Sequence, residues 1–173
     1  MKKIVLLIGA LCCLLSGCSV GIDDKEASVS ANPDAIAIIV RATSVDSITK
    51  SNVNEPVVFT GNDILWFNEV TKEMRFKDNL AMKSVLSNVQ ALKFYLRDEY
   101  LFPSIIVNSL SSQIINSLVF YYNILENKYF LLDGYPPGTF PSSAEDVRDI
   151  NTQNMASDWN KFIDQLKKEG KYK

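Results

Sequence analysis

Two adjacent acid pairs, Asp98-Glu99 and Glu145-Asp146, are candidates by residue type for proton transfer in this 173-residue chain. A carboxylate-based glycosidase holds two such groups about 5 to 9.5 Å apart across a cleft. The surrounding sequence gives these acids plainer work. Asp98-Glu99 falls where a hairpin turn is expected, and Glu145-Asp146 falls in the first turn of an expected helix, where negative charge complements the dipole. The chain contains no histidine, which removes histidine triads, histidine bases and most zinc sites together. No glycine-rich phosphate loop, nucleophile elbow or calcium-loop spacing is present. The expectation is a protein without catalytic residues, metal or cofactor. Binding chemistry is better represented, by Trp66 with Arg75 on a predicted hairpin and by Tyr135 and Phe140 on a proline-stiffened strap.

The amino-terminal residues set where the chain acts. Lys2 and Lys3 precede a charge-free apolar run from Ile4 to Leu15, followed by Ser16, Gly17 and Cys18. This is the layout of a secretory leader, and about a dozen apolar residues fall short of the ~20 that span a bilayer. Leu15-Ser16-Gly17-Cys18 resembles the lipobox of bacterial lipoproteins. The resemblance implies cleavage of residues 1–17, acylation at Cys18 and attachment to a membrane of the cell envelope. An ordinary leader that leaves Cys18 as a thiol is the alternative. Asp23, Asp24 and Glu26 then open a polar tether over 18–34, similar to the acidic signal that sends some Bacteroidetes lipoproteins to the cell surface. Outer-membrane attachment is the expected location, either displayed at the surface, the favoured reading, or on the inner leaflet of that membrane. Val58 to Ile64 and Asp133-Gly134-Tyr135-Pro136 add a general similarity to small lipoproteins of that phylum.

Loss of the leader takes Cys12, Cys13, Lys2 and Lys3 with it, so the folded domain has no free thiol or disulfide and carries about four net negative charges. The basic residues form no stripe, which argues against nucleic acid as a partner.

One α+β domain is expected over 35–173, a mainly antiparallel sheet built from hairpins with a carboxy-terminal amphipathic helix packed on it. Ala35 to Ala42 reads as a central strand buried on both faces, and Val57 to Phe59 as a short strand opened by Pro56. Ile64-Leu65-Trp66-Phe67 and Glu73 to Lys77 form a hairpin about Val70-Thr71. Its register places Phe67 opposite Met74, Leu65 opposite Phe76, Trp66 opposite Arg75 and Ile64 opposite Lys77. The indole then meets a guanidinium, either as a ligand platform or as cover for a sheet. Asp78 or Asn79 opens a short helix with Leu80, Val85 and Leu86 inward. A second hairpin joins Ala91–Arg97 to Tyr100–Asn108, where Pro103 marks an edge or bulge. A third joins Leu118–Leu125 to Lys128–Leu132, with Asn127 supplying positive φ.

The strap Asp133 to Pro141 either presents Tyr135 and Phe140 to a partner or folds back on the sheet as a crossover. A helix capped at Ser142 or Ser143 precedes a second start at Asn151 or Thr152, whose stripe of Met155, Trp159, Phe162, Ile163 and Leu166 should bury Trp159 against the sheet. Lys167 and Lys168 in its last turn and Gly170 just beyond end it. The reading is a non-catalytic envelope lipoprotein holding a protein or glycan partner at the membrane. An inhibitor or accessory subunit of an envelope enzyme is the alternative.

Overall fold

The computed structural model describes residues 36–137 and 142–173, with side chains of the last helix described from 147 onward. It is an α+β fold with eight strands in one sheet: β1 (Ile38–Thr43), β2 (Val57–Thr60), β3 (Ile64–Phe67), β4 (Glu73–Phe76), β5 (Ala91–Leu96), β6 (Glu99–Asn108), β7 (Val119–Asn123) and β8 (Lys128–Leu132). Helix α1 (Asn79–Leu86) links β4 to β5, and α2 (Ser142–Lys168) follows the sheet. The strand order is β2-β1-β5-β6-β7-β8-β4-β3. Every pairing is antiparallel except β6 with β7.

The sheet curls until its two ends nearly meet. The outermost strands β2 and β3 are joined by only Gly61–Asp63, a single 3-10 turn. Thr60 and Asp63 cap it reciprocally, the Asp63 carboxylate accepting from Thr60 N–H at 2.7 Å. Curvature comes from one-residue register shifts that leave Val58, Leu65 and Leu101 without register partners. Each extra residue bends its strand and increases the local twist. The consequence is visible in the core. Phe59 on β2 lies 4.9 Å from Phe76 on β4 and 5.9 Å from Phe120 on β7, rings that a flat sheet would hold far apart.

Strand alternation fills the concave face, with Ile38, Val40, Leu92, Phe94, Phe102, Phe120 and Leu131 all in the main cluster. Helix α2 packs there through Phe162, whose ring lies 6.1 Å from Phe67, 5.7 Å from Phe94 and 5.6 Å from Phe102. Burying Phe162, Ile163 and Leu166 contributes about 1.5–3 kcal/mol each. The helix is continuous, with no restart near Asn151, and Gly170 ends it at φ +68°.

The convex face is covered in two places. Residues 44–56 lie over β1 and β5, where Lys93 is fully buried and its Nζ reaches Glu55 Oε1 at 2.8 Å. The Tyr95 hydroxyl there accepts from Asn52 N–H at 3.1 Å. Over β6 and β7, Ile115 pairs with Tyr135, and Tyr135 packs with Val107 and Val119.

Several expectations change. β1 is second from an edge rather than central, because β2 alone lies beyond it. The Leu65 bulge replaces the expected Leu65–Phe76 and Ile64–Lys77 pairs with Ile64–Phe76, which keeps both Ile64 and Phe67 in the core. Phe67–Met74 and Trp66–Arg75 pair as expected. Asp78 caps α1, but Asn79, Met82 and Leu86 face inward while Leu80 and Val85 are exposed. The Asn79 side chain sets that rotation, accepting from Phe76 N–H and donating to Asn127 C=O. Pro103 sits in an interior strand. It is tolerated because β7 pairs with β6 only from Ile105 onward, leaving no second ladder at Pro103 to require a donor.

Candidate functional site

A cavity of about 650 Å³ opens at the end of the sheet where the parallel strands β6 and β7 finish. Its volume lies in the ~300–1,000 Å³ range of small-molecule sites. Leu86, Ile106, Phe120 and Ile124 supply apolar wall, and Tyr122 and Tyr129 supply aromatic surface. Gln90, Asn108 and Gln113 place amides around it, and Lys83 is the charged residue of the lining.

Local structure explains why this end stays open yet well defined. Asp78 Oδ1 accepts from Leu80 and Ala81 N–H, anchoring α1 so that Leu86 closes one wall. Asn127, at φ +51°, turns the β7–β8 hairpin, and its carbonyl receives the Asn79 amide at 2.8 Å. Tyr122 donates to Asn127 Oδ1 and Tyr129 donates to Asn79 C=O, both at 3.1 Å. The two rings stack at 4.8 Å. Burial pushes the Tyr129 hydroxyl well above the usual tyrosine range, with Tyr122 adding a smaller push in the same direction. It therefore stays protonated at neutral pH.

This lining offers apolar contact, neutral hydrogen bonds and one ammonium group. Among the described residues it contains no carboxylate, and both phenols are engaged as donors. Among the described residues, no group of three or more Asp, Glu, Cys or His side chains could hold a metal. No described helix is long and apolar enough to cross a membrane.

The residues singled out from sequence lie elsewhere. Trp66 and Arg75 face each other across β3 and β4, but the cation over the indole is Lys173, with Nζ 4.4 Å from the ring centroid. Tyr135, for which presentation to a partner and folding back on the sheet were both open, is 6 % exposed. Its ring lies 5.5 Å from that of Tyr121 and its hydroxyl donates to Ser111 C=O, so the first part of the strap folds back on the sheet. Phe140, Cys18 and the tether lie outside the described residues. Of the acid pairs, Glu99 accepts from Lys161 at 2.6 Å and fastens α2 to the β5–β6 turn, while the side chains of Glu145 and Asp146 are outside the description. The cavity itself was not anticipated. Its trace in the sequence is the stretch 109–116 after β6, whose three serines and one asparagine read as a loop or a single helical turn.

The fold and cavity together define an α+β protein with a nearly closed eight-stranded sheet and an open end. The chain matches no protein-family model, no curated protein and no solved structure.

Proposed function

We propose that the chain is a non-catalytic binding module of the cell envelope, tethered through acylated Cys18 and receiving part of its partner in the cavity between α1 and the ends of β6 and β7. The observation that carries this reading is the character of the cavity wall, aliphatic and aromatic with fixed phenols and amides and without an acid–base pair. Leu110 and Leu125, 83 % and 93 % exposed, stand on the turns adjoining the lining residues Asn108 and Ile124. They extend apolar surface outward, which favours a protein segment that inserts an apolar side chain over a bare glycan.

The test compares wild type with Ile106→Trp, which fills the cavity from its own wall. Both acylated proteins are recovered from native envelopes, and what accompanies each is identified by mass spectrometry. A protein present with wild type and lost with the filled variant, at unchanged melting temperature, supports the reading. Identical recoveries, or bait alone from wild type, refute it. Mass analysis of the amino terminus separately tests the tether.

A further inference from the structure

The cavity beside α1 lies against the side of a strand rather than against its face. Four consecutive β6 residues, Ile105 to Asn108, line it. Successive side chains of a strand point to opposite faces, so an unbroken run in the wall means that the opening abuts the strand edge. The pairing explains the gap. β5 begins at Ala91 opposite Ile105, and the last link between the two strands is Ile106 N–H to Gln90 C=O at 2.9 Å. Before Gln90 the chain closes a turn, Val89 N–H to Leu86 C=O, and leads back into α1. β6 runs on to Asn108 with β7 alone beside it.

Strand alternation fixes which groups face this gap. Ile105 N–H donates to Leu118 C=O and Ser109 N–H to Tyr122 C=O, so the odd-numbered residues turn their backbone groups towards β7. Those of Ile106 and Asn108 therefore turn towards the line of β5. Among the described residues, no backbone group takes up the Ile106 C=O or the Asn108 N–H. An uncovered edge of this kind is completed by an extended chain. The slot is short, because Ile106 to Asn108 span about 10 Å at ~3.3 Å per residue. Gln90, with β5 behind it, fills the continuing line, so a chain lying there ends there.

Both ends of a chain are charged, and the wall decides which end fits. Lys83, in the last turn of α1, is the charged residue of the lining and makes no ion pair among the described residues. Three acids stand on neighbouring segments but outside the lining. Asp46 follows Val45, Asp78 caps the far end of α1, and Glu126 is held by Lys128 at 2.7 Å. An α-carboxylate is matched by Lys83 and the side-chain amides of Gln90 and Gln113, whereas an amino terminus would meet Lys83 with no lining acid. A carboxyl terminus that enters first also runs antiparallel to β6, the more stable ladder. We infer that the element received by this cavity is the free carboxyl-terminal tail of a protein, added to the edge of β6 as a short antiparallel strand with its α-carboxylate at Lys83. Alternate side chains of the tail pack on Leu86, Ile106 and Phe120, which calls for aliphatic or aromatic residues there. The inference rests on the cavity being the partner site and adds the kind of segment it takes.

The experiment uses the full chain as recovered from native envelopes and a pool of octapeptides randomised over their carboxyl-terminal halves, made both as free acids and as amides. Bound peptides are identified by mass spectrometry. The expected result is enrichment of Val, Ile, Leu or Phe within the last two positions of the free-acid pool, lost with Ile106→Trp. Amidation of the tightest peptide, or Lys83→Gln in the protein, should weaken binding roughly tenfold, whereas Lys168→Gln on α2 leaves it unchanged. N-methylation along that peptide should alternate in effect, costing about tenfold at amides that face β6 and little at those between them. Equal recovery of the amides, uniform sensitivity to N-methylation, or no enrichment over Ile106→Trp overturns the inference. The wider reading of the cavity fails separately, through identical envelope recoveries for wild type and Ile106→Trp.

Discussion

Lys93 Nζ lies 2.8 Å from Oε1 and 3.0 Å from Oε2 of Glu55, on the convex side of β5 beneath residues 44–56. Lys93 is fully buried and the Glu55 side chain only 12 % exposed. Thr43 Oγ1 donates to the same carboxylate at 2.8 Å, and Arg41 donates to Glu55 C=O. The pair thus fastens an otherwise irregular segment to the sheet. Breaking a buried pair leaves one charge uncompensated, so Lys93→Ala should cost about 3–5 kcal/mol in urea unfolding. Lys93→Met combined with Glu55→Gln should recover most of that loss. A double variant as unstable as the single one would show that lost packing, rather than the stranded carboxylate, dominates.

Helix α2 depends more on Phe162 than on Trp159. Phe162 is fully buried among Phe67, Phe94 and Phe102, whereas Trp159 is half-buried with Lys72 over its ring. Phe162→Ala should therefore cost about 3–5 kcal/mol, and Trp159→Ala distinctly less. Thermal unfolding of the two variants checks the order.

That ranking shows what was legible in the sequence. Alternation, β-branched runs and turn chemistry exposed the strand segments, the Asp78 cap and the positive φ of Asn127, because each is local, whereas the inward face of α1 and the continuity of α2 through Asn151 were not legible. The stripe on α2 was legible too, but not which member sits deepest, since that depends on the approach of Phe67 and Phe102 from distant strands. Leu65 pairs wrongly in any regular register because a bulge is chosen by the core it must fill. The parallel β6–β7 pairing was hidden by a loop that resembles ordinary turn chemistry. The cavity followed it out of sight, since an opening is made by where elements stop. Tyr135 was ambiguous on composition alone, and the bridge to Ile115 decides it.

Alkaline pH should destabilise the fold through its tyrosines. Burial pushes the Tyr100 hydroxyl up to about 12, with Tyr95, Asp158 and Glu55 adding to the shift, and burial raises Tyr129 as well. A tyrosine whose folded pKa is raised retains its proton when the unfolded chain has lost it. Stability is therefore intact below pH ~10 and declines as pH rises from there through the folded values. Tyrosinate absorbance should show a late fraction, and Tyr100→Phe should shrink the alkaline loss of stability. An unchanged loss in that variant would assign it to other groups.

Acid should loosen the C-terminal segment first. The Glu69 carboxyl is held low chiefly by the Tyr172 hydroxyl, and the Tyr172 pKa is raised by the same bond. A depressed carboxylate stabilises above its unfolded pKa of about 4.3, and the contribution disappears as pH falls through the lower folded value. Tryptophan emission should change in that window before global unfolding. Glu69→Gln should abolish this early step, and its persistence would sink the assignment.

Gly134 lies against Arg148, so closely that a Cβ there would come within 2.2 Å of the guanidinium Nε. Arg148 is 7 % exposed and its Nη2 donates to Ile115 C=O at 3.2 Å, holding α2 against the loop that carries the Ile115–Tyr135 bridge. Nearby, Asn151 Nδ2 donates to Asn116 C=O at 2.6 Å, so the same loop is gripped twice. Gly134→Ala should therefore act by displacing Arg148, at about 1–3 kcal/mol for overpacking a filled site. In an Arg148→Ala background the three guanidinium atoms nearest the methyl group are gone, and the added cost of Gly134→Ala should fall sharply. A double-mutant cycle by urea unfolding measures this coupling directly. Strict additivity would mean that the glycine is required by the backbone and not by its neighbour.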